Sequence, residues 1–275
     1  MTFGQRLQQA FDTGGHLCVG IDPHAFLLKE WNLTDDAAGL REFGLRVIEA
    51  TVNRAAIVKP QVAFFERHGS AGFAALEEVL RAARKAGLLV IADAKRGDIG
   101  STFDGYAEAW LTPGSPLEAD ALTVSPYLGV GSVAGPRAIA AEHGKGLFML
   151  SATSNPEALT LQSSRMASGL TVAAGIVDEV RQWNSNDDGL GSTGLVLGAT
   201  LDLSVFGISD LANTPVLAPG FGHQGAQVSD LRALYGTAAD NVLVSASRSI
   251  LAAGPSGIAA AIEQQAAEVA EALAA

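Results

Sequence analysis

The sequence predicts an α/β protein of the (β/α)8, or TIM, barrel class, folded as one domain over residues 1–275. Eight short runs rich in Val, Leu, Ile and Ala recur along the chain with few polar interruptions, the pattern of strands buried on both faces. Segments with helical spacing separate them. Eight such strand–helix units need about 250 residues, and the chain has 275. The rival architecture, a doubly wound sheet, carries a Gly-x-Gly-x-x-Gly turn after an early strand. Here that turn reads Asp22-Pro23-His24.

The runs are Leu17 to Ile21, Ala56 to Lys59, Leu88 to Ala94, Ala119 to Ser125, Gly146 to Ser151, Gly194 to Ala199, Pro215 to Ala218 and Val242 to Ala246. Phe43, Val47, Ile48 and Val52 form a helical stripe between the first and second runs, and Phe73, Leu76, Val79, Leu80 and Ala83 form one between the second and third. From Ser256 onward, Ile258, Ile262, Val269 and Leu273 share a stripe. Ala152 to Arg165 reads as a long loop after the fifth strand, of a length associated with functional covers or with disorder. Asn184 to Gly194 reads as a polar surface loop before the sixth. No Pro- or Ser-rich linker divides the chain, and no internal block of charge marks a tail.

The chain has 18 basic and 29 acidic residues, a net charge of −11. That balance disfavours nucleic acid or an anionic membrane as partner. An anionic small molecule needs only a few cations gathered in one place. The single cysteine, Cys18, sits in an apolar run and is expected to be a buried, inert thiol, so no disulfide framework forms and a reducing cytoplasm is the expected location. The segment Met1-Thr2-Phe3-Gly4-Gln5-Arg6 lacks the apolar core of a signal peptide. No apolar stretch approaches the ~18 residues of a membrane span, and a soluble protein is expected.

Barrels of this class assemble their reaction centre at the carboxyl ends of the strands. Strand one ends at Asp22, strand two at Lys59, and strand three at Asp93 and Lys95 with Asp98 just beyond. Side chains two apart on a strand share a face, so Asp93 and Lys95 are expected to point the same way. Clustered charge is costly to desolvate. A salt-bridged plug would account for one pair, whereas two acids and two bases at one rim favour chemistry. Strand five runs into Thr153-Ser154-Asn155-Pro156, strand seven into Pro219-Gly220-Phe221-Gly222-His223-Gln224-Gly225, and strand eight into Ser245-Ala246-Ser247-Arg248. The three loop glycines are expected to expose backbone N–H groups beside the Arg248 fork, which makes a phosphate pocket. His16, His24, His68 and His143 lack metal-ligand spacing, and His223 is expected to face solvent. Ser101 and Ser154 lack a partnered histidine, which argues against nucleophilic hydrolysis.

Asp93-x-Lys95-x-x-Asp98, with Lys59 on the preceding strand, resembles the charged tetrad of the orotidine 5′-phosphate decarboxylase family. The resemblance makes Asp22 the ribose-binding aspartate, Ser154 the pyrimidine-contacting serine, and Pro219-Gly220-x-Gly222-x-Gln224 the phosphate loop. Gln224 and Arg248 then hold phosphate, and Ser247, placed with them in the binding set, stands where many relatives carry Gly. The stretch Asp93 to Thr102, together with Thr153-Ser154-Asn155-Pro156, is similar to a bacterial subgroup with longer loops. The resemblance implies cofactor-free, metal-free loss of CO2 from orotidine 5′-monophosphate to give UMP, the last step of pyrimidine synthesis. It also implies a homodimer in which Asp98 and Thr102 reach the partner's site. Losing CO2 leaves a carbanion at C6 that needs a nearby cation and then a proton, and Lys95 is the expected donor.

Two other readings share parts of this pattern. A magnesium-dependent lyase acting on a phosphorylated keto sugar has the same Asp-x-Lys-x-x-Asp motif but a glutamate at the position of Lys59, where a lysine repels Mg2+. A non-catalytic nucleotide-binding barrel would keep Gln224 and Arg248 without needing the charged tetrad.

Overall fold

In the computed structural model, which describes residues 1–275, eight parallel strands close in chain order into a barrel. They are β1 (Leu17–Ile21), β2 (Ile57–Pro60), β3 (Leu89–Arg96), β4 (Ala121–Val124), β5 (Gly146–Ala152), β6 (Thr193–Leu197), β7 (Val216–Pro219) and β8 (Val242–Ala246). Closure is completed by β1 pairing with β8, Leu17 against Val244 and Val19 against Ala246. Helices that include Ala37–Thr51, Gly69–Lys85, Gly100–Leu111, Val172–Trp183 and Gly254–Ala274 follow the strands. None is long and apolar enough to cross a membrane.

The two-residue period of each strand divides the core in two. Leu17, Val19, Val58, Val90, Leu122, Leu147, Leu195, Val216 and Val242 point outward and belong to a large cluster shared with the helices. Cys18, Ile57, Leu89, Ile91, Ala121, Phe148, Val196, Leu217 and Leu243 fill the lumen. The same inner cluster includes Phe3, Leu7, Ala10 and Phe11. These lie on an N-terminal helix, Phe3–Gly14, that closes the bottom of the barrel. The helix starts at Thr2, whose hydroxyl accepts from the Gln5 N–H at 3.2 Å while Gln5 Oε1 accepts from the Thr2 N–H at 3.1 Å, a reciprocal cap. Phe3 meets Phe148 edge to face, centroids 6.0 Å apart. Gly146 is required here, because a Cβ at that position would lie 2.3 Å from the Phe3 ring.

Continuing the inward phase upward turns the lumen from apolar to polar. Ile57 leads to Lys59, Ile91 to Asp93, Ala121 to Thr123 and Leu243 to Ser245, and all four of these polar residues are buried. Strand three departs from regularity at this level. Ala92 pairs with Leu122 and Arg96 with Val124, so four steps along β3 span two along β4. A bulge therefore covers Asp93 to Lys95, with Lys95 in the left-handed region at φ 48°. Asp93 and Lys95 do come together as their spacing predicts, although the backbone between them is bulged and not a regular strand.

Two expected loops have more structure than their composition indicated. The segment 152–165 contains the helix Ala158–Gln162. Gln162 ties it down, accepting from the Thr153 N–H at 2.8 Å and donating to the Thr153 hydroxyl at 3.0 Å. Asn184 is buried, not a surface residue. Its amide donates to the Thr193 carbonyl at 2.8 Å and accepts from the Thr193 N–H at 3.3 Å, bridging the ends of the connection, and Thr193 and Gly194 already belong to β6. Cys18 is fully buried as expected, and burial pushes its thiol up to about 12.

Candidate active site

Asp93 is the hub at the carboxyl rim. Its Oδ2 accepts from Lys59 Nζ at 2.8 Å and from Gln61 Nε2 at 3.1 Å. Its Oδ1 accepts from Lys95 Nζ at 2.6 Å and from the Thr123 hydroxyl at 3.0 Å. Strands β2, β3 and β4 thus converge on one carboxylate. Burial raises the pKa of Asp93, but the two ammonium groups outweigh it and hold the carboxyl well below the usual range. Burial likewise favours neutral Lys59, and Asp93 and then Asp22 overcome it, raising the lysine above its ordinary value. Both groups are therefore fixed in their charged forms.

Above the cluster opens a cavity of about 690 Å3, lined by Asp22, Lys59, Asp93, Lys95, Ser154, Pro219, Gln224, Ser247 and Arg248, among others. Nine of the eleven residues picked out by the sequence thus share one wall-to-wall space. Arg248 and Gln224 make no side-chain hydrogen bond within the chain, and Arg248 has no ion pair. The Asp22 Oδ1 and Ser247 Oγ atoms are buried without a partner. Free polar groups thus ring a saturated charged hub. Gly20 makes room for Ser247, since a Cβ there would come within 2.7 Å of the serine Cβ.

The glycine loop presents fewer free donors from its glycines than its composition predicts. The Gly222 N–H donates to the Ala226 carbonyl and the Gly225 N–H to the Gly222 carbonyl, both at 2.9 Å. The glycines instead supply positive φ, 122° at Gly220, 71° at Gly222 and 107° at Gly225, which L side chains disfavour. The turn so formed directs His223 and Gln224 to the cavity lining, with His223 exposed. His24, against Phe64 with centroids 4.3 Å apart, also lines the cavity. Burial lowers its pKa, Asp22 opposes that, and Arg248 adds to it.

Asp98 and Thr102 do not line the cavity of this chain. Asp98 accepts from the Ile99 N–H at 2.9 Å, just before the helix Gly100–Leu111. Thr102 is exposed on that helix's first turn. One chain therefore brings together three members of the expected charged tetrad. Gln61 and Thr123 are hub residues that motif reading missed. Their signal lay in phase, each two residues beyond an inward-facing neighbour, Lys59 and Ala121. No cluster of three His, Cys, Asp or Glu side chains has metal-binding geometry.

Comparison with known proteins agrees with this geometry. The model of the orotidine 5′-phosphate decarboxylase / HUMPS family matches residues 15–263. The orotidine 5′-phosphate decarboxylase of Salinispora tropica is 51% identical over 258 residues, covering 94% of this chain and 92% of the relative. That of Streptomyces coelicolor is 51% identical over 254 residues, covering 92% and 91%. Among solved structures, a Streptomyces avermitilis protein superposes with a TM-score of 0.96 at 50% identity, covering 100% of this chain and 96% of its own. Leishmania donovani OMP decarboxylase gives 0.79 at 31% identity with both chains covered in full. With the family model matched from strand one into the last helix and about half of all residues shared with full-length relatives, this chain belongs to the orotidine 5′-phosphate decarboxylase / HUMPS family.

Proposed function

We propose that the cavity removes CO2 from orotidine 5′-monophosphate to give UMP, with Lys95 protonating the C6 carbanion. The chain is a carboxy-lyase of pyrimidine biosynthesis by family, and its relatives carry that name over more than nine-tenths of the chain. The observation that carries the mechanism is the placement of two ammonium groups, Lys59 and Lys95, on the two oxygens of Asp93 beneath the cavity. The substrate's phosphate is read onto Gln224 and Arg248, its ribose onto the unpartnered Asp22, and its base beneath Ser154, with Pro219 and Ser247 completing the wall.

In this reading the departing carboxylate sits against Asp93 and is freed of repulsion as CO2 becomes neutral. One such repulsion at ~4 Å and an effective dielectric of ~20 is ~4 kcal/mol, about three powers of ten in rate. Catalysis of slow reactions reaches ~23 kcal/mol, so repulsion is a minor part. The larger share comes from fixed charge around the carbanion and from phosphate binding energy spent on closing and drying the site. Lys59 Nζ already occupies the Asp93 Oδ2 at 2.8 Å, which argues against a divalent cation on that carboxylate and against the magnesium-dependent lyase. No cofactor is required by this chemistry.

Asp98 and Thr102 are assigned to the partner's site in a homodimer. Support comes from their exclusion from their own chain's cavity and from the exposed apolar residues Ile99 and Tyr106 on the same segment, which a partner would cover. A reducing cytoplasm suits the lone buried thiol. Loss of orotidine 5′-monophosphate absorbance on adding the protein, unchanged by EDTA, is the expected result. No loss, or abolition by EDTA, would count against the reading.

A further inference from the structure

We propose that Thr123 is a positioning residue, whose single hydroxyl fixes both the Asp93 carboxylate and the backbone that carries Lys95. The inference rests on Asp93 and Lys95 being the groups that meet the reacting centre. Thr123 is fully buried at the end of β4. Its Oγ1 accepts from the Lys95 N–H at 2.9 Å and lies 3.0 Å from Asp93 Oδ1. A backbone N–H can only donate, and a hydroxyl has one proton of its own. The proton of Thr123 therefore points at the carboxylate, and the direction of the whole relay is fixed.

The relay acts where the strand is least regular. Lys95 has φ 48°, a left-handed conformation that side-chain-bearing residues resist, and β3 is bulged against β4 at this point. Conformations of that kind persist only when surrounding contacts impose them. Thr123 supplies such a contact from the neighbouring strand. The same hydroxyl orients the carboxylate that receives both Lys59 and Lys95, and so sets where the two ammonium groups stand. Thr123 does not line the cavity, so it acts through Asp93 and Lys95 without touching substrate.

Valine matches threonine in shape and lacks the hydroxyl. Thr123→Val should lower kcat by about 10- to 100-fold, the range for losing a hydrogen bond to a charged group, and leave KM within about threefold, because phosphate and ribose contacts lie elsewhere. Thr123→Ser, which keeps the hydroxyl, should recover most of kcat. Thermal melting with circular dichroism establishes that each variant is folded, and Thr123→Ala carries the same expectation should the valine variant be insoluble. A folded Thr123→Val or Thr123→Ala with wild-type kcat, alongside an inactive Lys95→Ala, overturns the role of Thr123 and leaves the charged cluster standing. So does a Thr123→Ser as impaired as the valine variant. An active Lys95→Ala overturns the reading beneath it, and this proposal with it.

Discussion

Asp93 accepts four hydrogen bonds, two on each oxygen, and two of the donors are ammonium groups. Removing one member of such a buried set leaves the others uncompensated, so Asp93→Ala should destabilise the protein by about 3–5 kcal/mol at neutral pH, as read from denaturant unfolding. The pH dependence follows from the direction of each shift. The folded pKa of Asp93 lies below its ordinary 3.8, so its contribution is present above about pH 4 and is lost as pH falls through the lowered value. The folded pKa of Lys59 lies above its ordinary 10.5, so its contribution is complete below about pH 10 and is lost as pH rises through the raised value. Between these limits the pair stays charged and should add no pH dependence to the stability of the wild type. In Asp93→Ala the burial of Lys59 is no longer offset by that carboxylate, so the variant's stability should fall more steeply than the wild type's as pH drops from the alkaline side, and equal pH profiles would contradict the pairing. The acid and the bases were legible because they interrupt an apolar run. Thr123 was not, because a lone threonine between Leu122 and Val124 is ordinary strand composition, and its partners meet it only because β3 bulges.

At the level of elements, the site is the upward continuation of inward strand positions, and the phosphate side is the joint product of the β7–loop and β8 ends. Arg248 has no ion pair of its own and touches no atom that changes bonding in the proposed reaction. Arg248→Ala should nevertheless lower kcat/KM by about a hundred- to a thousandfold, since a phosphate loses its charged fork. Added phosphite dianion should partly restore turnover of a substrate truncated at the phosphate, and a complete lack of restoration would remove the phosphate side from the catalytic account. Arg248 could be read from chain position, at a strand end beside the glycine loop, whereas Gln224 came only with the family resemblance. The loop's internal bonding could not, because Gly222 and Gly225 spend their N–H groups on pairings within the turn that composition does not specify. Asn184 misled for a related reason, since a polar residue that caps a buried connection looks like a surface one until its partner Thr193 is located.

Across the whole molecule, the eight strands were legible because each is covered on both sides and so has few polar interruptions. The bottom plug was not, because Phe3, Leu7 and Phe11 acquire a purpose only once the barrel end they fill exists. The proposed sharing of Asp98 also belongs at this scale. Lys95→Ala and Asp98→Ala variants, each inactive alone, should recover up to about a quarter of wild-type activity when mixed and allowed to exchange subunits, because each hybrid dimer regains one native site. No recovery in a mixture shown to exchange would place Asp98 in its own chain's chemistry. The central claim, that the lysine cluster beneath the cavity protonates the carbanion, is tested most directly by following orotidine 5′-monophosphate loss with Lys95→Ala. A folded protein with near-total loss of UMP formation is the predicted result, and turnover within about tenfold of wild type would contradict it.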